Sequence, residues 1–121
     1  MNLELFLVSE TASIREALAK IDVNLHGIIL TTKSSGAVVG LATDGDIRRK
    51  LIEGASLDDP IMYCANPNFI WGDQATPREF LLKQLDERIR VIPLLDEARI
   101  LTGIISREHF PVRDQERTFS R

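Results

Sequence analysis

A repeat with an offset of 63 residues constrains the fold of this chain more than any other feature of its sequence. Residues 14–47 align without a gap on residues 77–110, and Thr43 falls on Ser106. Such a repeat indicates one supersecondary unit that occurs twice, and the two copies are expected to bury their apolar faces against each other. Identical residues align at the pairs Arg15/Arg78, Glu16/Glu79, Leu18/Leu81, Lys20/Lys83 and Gly40/Gly103.

The first copy has the predicted order strand, helix, strand, strand, helix. An apolar strand is followed by an amphipathic helix that Ser13 can cap. Two further apolar strands enclose a turn, and a second helix begins after Thr43 and ends near Gly54. The predicted strands cover residues 5–8, 27–32 and 37–42.

The second copy repeats this order, with predicted strands at 68–71, 90–95 and 100–105. Thr76 is expected to cap its first helix, and Pro77 suits the first helical position because it lacks an amide hydrogen. Pro111 should shorten the last helix. The sequence therefore predicts an α+β fold of two tandem repeats, packed as a pseudo-twofold pair. Repeat 1 is assigned to residues 1–58, repeat 2 to 59–111 and a polar tail to 112–121.

The composition argues against several classes of protein. With 15 basic and 18 acidic residues, the formal charge of −3 does not indicate a nucleic-acid or membrane partner. No segment approaches the roughly 20 apolar residues that cross a bilayer. Cys64, the single cysteine, excludes internal disulfides and is expected to pack as an apolar residue. We therefore expect a cytoplasmic protein.

The segment GLATDGD, residues 40–46, carries the most informative chemistry. Its carboxylates at Asp44 and Asp46 suggest a metal, but a calcium loop starting at Asp44 would need glycine and glutamate where Arg49 and Ala55 stand. We therefore expect no resident metal, and Mg²⁺ only where it accompanies ATP. A capping box, in which Thr43 and Asp46 stabilise the start of the following helix, is the purely structural alternative.

A nucleoside offers a functional explanation for the same residues. The Asp46 carboxylate can accept hydrogen bonds from both hydroxyls of a ribose, and Thr43 can donate to a phosphate oxygen. Arg48 or Arg49 can supply positive charge for the phosphate. In the second copy, GIISREH, His109 stands in the place of Asp46, so bidentate recognition of a ribose is lost. The sequence predicts one competent half-site and one degraded one.

The doubled unit, each copy closing with glycine, a hydroxyl residue and a helix, resembles the CBS domain pair over residues 3–110. Such pairs are regulatory modules that bind an adenosine nucleotide, such as AMP, ADP or ATP, and often dimerise. The resemblance implies a base near the second and third strands and a phosphate near the helix start. The implied ligand-binding residues are Thr43, Asp46, Gly27, Ile28, Ile29, Leu41, Arg48, Ser106 and Arg107.

The longer run TDGDIRRKLIEGASLDDPI, residues 43–61, is similar to CBS pairs that precede sugar-phosphate nucleotidyltransferase domains. This similarity implies control of an attached or associated nucleotidyltransferase. Arabinose-5-phosphate isomerases carry a related run, and they are the alternative setting. A ligand-free dimerisation module is a further alternative. Because the chain carries no phosphate-binding glycine loop and no catalytic constellation, we expect no enzyme activity and no catalytic residue within it.

Overall fold

The computed structural model describes residues 2–106. Short 3-10 turns occupy Leu3–Phe6 and Ile61–Tyr63. Strands β1, β2 and β3 form one sheet, in which β1 runs parallel and β3 antiparallel to β2, and β4 pairs with β5 in a second sheet. The elements are β1 (Leu7–Ser9), α1 (Ile14–Asn24), β2 (Ile28–Thr32), β3 (Val38–Thr43), α2 (Asp44–Ile52), α3 (Arg78–Gln84), β4 (Val91–Leu95) and β5 (Leu101–Ser106).

The two antiparallel strand pairs confirm the repeat to the residue. Adding 63 to the bounds of β2 and β3 gives those of β4 and β5. Ile28 lies opposite Thr43 in one pair, and Val91 lies opposite Ser106 in the other. The register shift occurs between Thr31 and Thr32 in the first pair and between Leu94 and Leu95 in the second, again 63 residues on. A β-bulge at equivalent positions in both copies indicates that the two strand pairs have the same backbone geometry.

The start of the second copy differs from the prediction. Instead of a strand at 68–71, a single parallel bridge joins Gly72 to Leu94. Helix α3 begins at Arg78, one residue later than expected, and Thr76 does not cap it. The Asp73 carboxylate accepts hydrogen bonds from the Thr76 hydroxyl and from the amides of Ala75 and Thr76. These bonds, the Thr76 hydroxyl first, lower the pKa of Asp73. This local turn takes the hydroxyl that the cap would need.

Both helices of the first copy begin with a capping box. In α1 the Ser13 hydroxyl accepts from the Glu16 amide at 3.2 Å, and the Glu16 carboxylate accepts from the Ser13 amide at 2.9 Å. The predicted cap at Ser13 is therefore confirmed. Ile14, Ala17 and Ile21 form the buried face of the helix, as their spacing predicted. The predicted helix after Ser106 lies outside the described residues.

Alternation along β2 separates two cores. Ile29 faces α1 and α2 in a core that also contains Ile47, whereas Leu30 faces the second sheet. The core between the sheets joins residues of both copies, including Leu30, Val38, Val91, Leu95 and Leu101. A third cluster packs α3 on the outer face of the second sheet. The two copies therefore share one buried core, as the predicted pseudo-twofold packing requires.

The turns between strands also join the copies. Gly36 and Arg99 occupy equivalent positions, with φ values of 93° and 64°. Arg99 adopts this left-handed conformation without being glycine, and its side chain reaches repeat 1, where Nε donates to the Val38 carbonyl at 3.0 Å. Its guanidinium also lies 5.1 Å from the Trp71 ring centroid and 5.8 Å from that of Phe69. These contacts offset the cost of the backbone conformation.

We expect the change Leu25→Gly to stabilise the protein. Leu25 ends α1 in the left-handed conformation, with φ of 62°, and its side chain is 81% exposed. Glycine removes the steric cost of this conformation and loses little packing, so the free energy of unfolding should rise by about 0.5 kcal/mol. Urea denaturation provides the measurement. Leu25→Ala is the matched control and should show no gain, because alanine keeps the Cβ atom.

Candidate functional site

A cavity of about 730 Å³ lies where the two copies meet, at the start of α2. One side is formed by Thr43, Asp46 and the two arginines that follow. The opposite side comes from the connection at residues 66–70 and the loop at 86–91. The pocket therefore places the predicted motif of repeat 1 against residues of repeat 2.

Thr43 and Asp46 hold the first turn of α2. The Thr43 hydroxyl accepts from the Asp46 amide at 3.0 Å, and Asp46 Oδ2 accepts from the Thr43 amide at 3.1 Å. Asp46 Oδ1 forms an ion pair with Arg49 Nη2. The capping box considered from the sequence is thus present. Because each carboxylate oxygen has two lone pairs and the Thr43 hydroxyl keeps its own hydrogen, the same groups can bind a ligand as well.

Asp44 joins the two copies across the mouth of the cavity. Its Oδ1 lies 3.7 Å from Nη2 of Arg90, and both side chains are about half exposed, at 43% and 55%. An exposed pair of this kind stabilises a fold by about 0–1 kcal/mol. The Asp44 amide donates to the Gly27 carbonyl at 2.9 Å. A Cβ atom on Gly27, whose φ is 74°, would lie 3.0 Å from Arg90, so glycine at this position keeps room for the arginine.

The charged groups around the cavity balance each other. Four arginines and four acidic residues line it. Because the lining as a whole carries no net charge, an anionic ligand would bind through contacts to individual arginines. The arginines are Arg48, Arg49, Arg88 and Arg90, and the acidic residues are Asp44, Asp46, Asp86 and Glu87.

Hydrogen bonds within the loop at residues 86–91, which carries two of these arginines, fix its conformation. Asp86 donates its amide to the Ile89 carbonyl at 2.9 Å. Its carboxylate accepts from the amides of Arg88 and Ile89, both at 2.7 Å. These bonds fix the turn that brings Arg88 and Arg90 to the cavity. The sequence does not predict this loop, because no local pattern shows which part of repeat 2 faces the motif of repeat 1.

The apolar wall corrects one predicted site residue. Ile28 and Leu41 line the cavity, together with Ile70 and Val91. Ile29 is fully buried in the core beneath α1 and α2. Neighbouring residues of a strand face opposite sides of the sheet, so Ile28 and Ile29 do not contribute side chains to the same pocket. The side chain of Ile29, a predicted ligand-binding residue, therefore does not line the cavity.

The connection at residues 66–70 contributes a wall that the sequence did not predict. Asn66 pairs with Leu41 through two backbone hydrogen bonds of 2.8 and 3.1 Å, which hold the connection against the edge of β3. Asn66, Asn68, Phe69 and Ile70 all line the cavity. Pro60 and Pro67 predict a link between the copies at residues 54–67, and the bridge from Asn66 to Leu41 places the end of this link beside the site.

The remaining predicted residues lie elsewhere. Ser106 is buried at the end of β5, at the position equivalent to Thr43, and does not line this cavity. Arg107 and His109 lie outside the described residues. Cys64 is buried as predicted, and burial raises the pKa of its thiol. Within residues 2–106 there is no cluster of metal-ligating side chains and no helix long and apolar enough to cross a membrane.

The sequence of repeat 1 and the overall architecture each match known proteins. The family model described as "CBS domain" matches residues 1–53. The fold resembles that of a CBS domain protein from Pyrobaculum aerophilum complexed with AMP, with a TM-score of 0.73 and 25% identity. That match covers 85% of this chain and 84% of the other. Residues 1–53 therefore match the CBS domain family. The α+β architecture of the chain is the predicted one.

Other proteins similar to this chain include a solved structure and a curated enzyme. A conserved protein from Pyrococcus horikoshii has a TM-score of 0.75 and 27% identity, and the match covers 98% of this chain and 92% of that one. Arabinose 5-phosphate isomerase GutQ of Salmonella typhi is 32% identical over 100 residues, which are 81% of this chain and 31% of the relative. The chain thus spans about a third of the length of this curated relative.

Proposed function

We propose that this CBS-domain chain is a regulatory module that binds an adenosine nucleotide in the cavity at the start of α2. The observation that carries the proposal is the placement of Thr43 and Asp46 on the wall of a cavity that apolar residues and arginines also line. The AMP complex of the similar Pyrobaculum aerophilum protein supports the ligand class.

Each part of a nucleotide has a matching surface in the cavity. Asp46 accepts hydrogen bonds from the ribose hydroxyls, and Thr43 donates to a phosphate oxygen. Arg48 provides charge for the phosphate. The base packs on Ile28 and Leu41, where backbone groups near Gly27 can read its edge. AMP, ADP and ATP share these features, and Mg²⁺ enters only with ATP.

The second half-site belongs to the proposal as a weaker site. Ser106 keeps the hydroxyl at the position equivalent to Thr43, and Arg107 follows it with a cation. His109 replaces the carboxylate and, when neutral, offers one acceptor where a ribose needs two. We therefore assign the nucleotide to the half-site of repeat 1.

The enzyme that this module controls is a second part of the proposal. The motif run at residues 43–61 favours a sugar-phosphate nucleotidyltransferase as the attached or associated partner. The GutQ relatives favour a sugar-phosphate isomerase instead, and they align with 81% of the chain, whereas the run is short. We therefore propose a sugar-phosphate isomerase of the arabinose-5-phosphate type as the first partner to test. We also propose that the protein is a cytoplasmic homodimer. The single cysteine supports the cytoplasmic location, and the resemblance to CBS domain pairs supports the dimer.

A ligand-free interaction module is the competing function, and one observation favours it. Thr43 and Asp46 already satisfy each other in the capping box, so both residues have a structural role without any ligand. In that case the doubled fold would only dimerise and position a neighbouring domain. Sedimentation should then give the same oligomer with and without nucleotide.

We expect AMP, ADP or ATP to bind the purified protein with measurable heat in a calorimetric titration. The expected stoichiometry is one nucleotide per chain, because one half-site keeps its carboxylate. Inorganic phosphate at the same concentration is the control, and it should bind far more weakly because it lacks the ribose and the base. No binding at millimolar nucleotide would contradict the proposed function.

A further inference from the structure

We propose that Arg49 competes with the ribose for Asp46, and that this competition makes the site select phosphorylated nucleotides over nucleosides. The inference rests on the proposed function and adds a specificity-determining residue to it. Its basis is the ion pair between Arg49 Nη2 and Asp46 Oδ1, which covers the oxygen that does not cap the helix.

The geometry of α2 brings Arg49 back to the start of the helix. Arg49 lies three residues after Asp46, and long helical side chains lean toward the N-terminus. The space above the first turn is open because Gly45 has no side chain. A Cβ atom on Gly45 would lie 3.6 Å from Nη1 of Arg49 and 3.7 Å from Nη2 of Arg48. Both guanidinium groups therefore gather over the same turn.

A ligand can replace Arg49 as the partner of Asp46 in this ion pair. The Arg49 side chain is 67% exposed, whereas Asp46 is 31% exposed and is fixed by the Thr43 amide. The arginine can move into solvent or toward a ligand while the carboxylate stays in place. An exposed pair of this kind contributes little stability, so a stronger partner can displace it.

The two ligand classes meet this pair differently. A nucleoside brings two hydroxyls that must displace Arg49 from Asp46, and it offers the arginine nothing in return. A nucleotide brings the same hydroxyls and a phosphate, which pairs with the released guanidinium through charge-assisted hydrogen bonds. The phosphate thus favours nucleotide binding in two ways, because it pairs with Arg49 and it frees the Asp46 carboxylate for the ribose.

The test measures the affinities of adenosine and AMP for the wild-type chain and for Arg49→Gln. We expect adenosine to bind roughly two- to five-fold more tightly to the variant, since an exposed pair is lost as a competitor. AMP should bind about five-fold more weakly, because a charge-assisted contact to the phosphate is lost. Opposite changes for the two ligands would not arise from a general loss of structure.

Arg48→Gln is the matched control, because it removes the same charge from the neighbouring residue on the same cavity wall. It should weaken AMP and leave adenosine unchanged. Adenosine binding that stays the same or weakens in Arg49→Gln, while the wild type binds AMP, would overturn the competition and leave the proposed function intact. A wild type and variants that bind neither ligand would overturn the proposed function, and this inference with it.

Discussion

The change Asp46→Ala is expected to weaken binding of AMP by about 100-fold, since it removes two charge-assisted hydrogen bonds to the ribose. In the proposed binding mode, Asp46 is the residue of the GLATDGD motif that accepts hydrogen bonds from both ribose hydroxyls. Calorimetric titration of the variant with AMP gives the measurement. Undiminished affinity would show that the residue only caps α2.

A second capping box in the same chain separates binding from helix capping. Ser13 and Glu16 make the same pair of hydrogen bonds at the start of α1 that Thr43 and Asp46 make at α2. Glu16→Ala should therefore lower the free energy of unfolding by about 0.5–2 kcal/mol, a decrease similar to that caused by Asp46→Ala. Its affinity for AMP should equal that of the wild type. Equal losses of affinity in both variants would point to a general effect of helix capping.

The change Leu30→Ala should lower the free energy of unfolding by about 2–5 kcal/mol and destabilise both repeats together. Leu30 is fully buried in the core between the sheets, where it joins Val38 of its own repeat to Val91 and Leu95 of the other. A cavity there removes contacts from both sides. The two copies should unfold in one transition, because neither has this core to itself.

Two spectroscopic signals can show whether the repeats unfold together. Trp71, the only tryptophan, belongs to the second copy and packs beneath Arg99. Most of the described helix lies in α1 and α2 of the first copy. Fluorescence and circular dichroism should therefore give the same midpoint in urea for Leu30→Ala. A tryptophan transition that keeps the wild-type midpoint would mean that the repeats are independent. Val23→Ala on the exposed face of α1 is the control and should change stability little.

Wherever local patterns decide a structure, the sequence was a reliable guide. The bounds of β2, β3, β4 and β5 lie within one residue of the prediction, and Ser13 caps α1 as predicted. The first strand begins at Leu7 instead of Leu5, because Leu3–Phe6 form a 3-10 turn. The predicted strand at 68–71 does not form, and the adjacent Gly72 makes only a single bridge to Leu94. The helical spacing of Phe80, Leu81 and Leu85 predicts that all three share one buried face, but Phe80 is 55% exposed whereas Leu81 and Leu85 are buried.

The candidate site also has one part that local sequence patterns predict and another part that only the packing of the sheets brings into place. The motif at residues 40–46 can be read from the sequence because hydroxyl and carboxylate stand at a fixed spacing before a helix. The loop at 86–91 cannot, because its place beside α2 depends on how two sheets pack. Likewise, the sequence could not choose between Ile28 and Ile29, since both are apolar and only the layers on either side of β2 decide which faces the cavity.

The sequence by itself determined the doubled unit, the order of its helices and strands and the pair formed by Thr43 and Asp46, because periodicity, capping and repetition act over short distances along the chain. The tertiary structure alone decided that Arg90 meets Asp44, that Arg49 covers Asp46, and that the connection after Asn66 forms a wall. These contacts depend on the packing of one repeat against the other, and on side-chain positions that spacing leaves open.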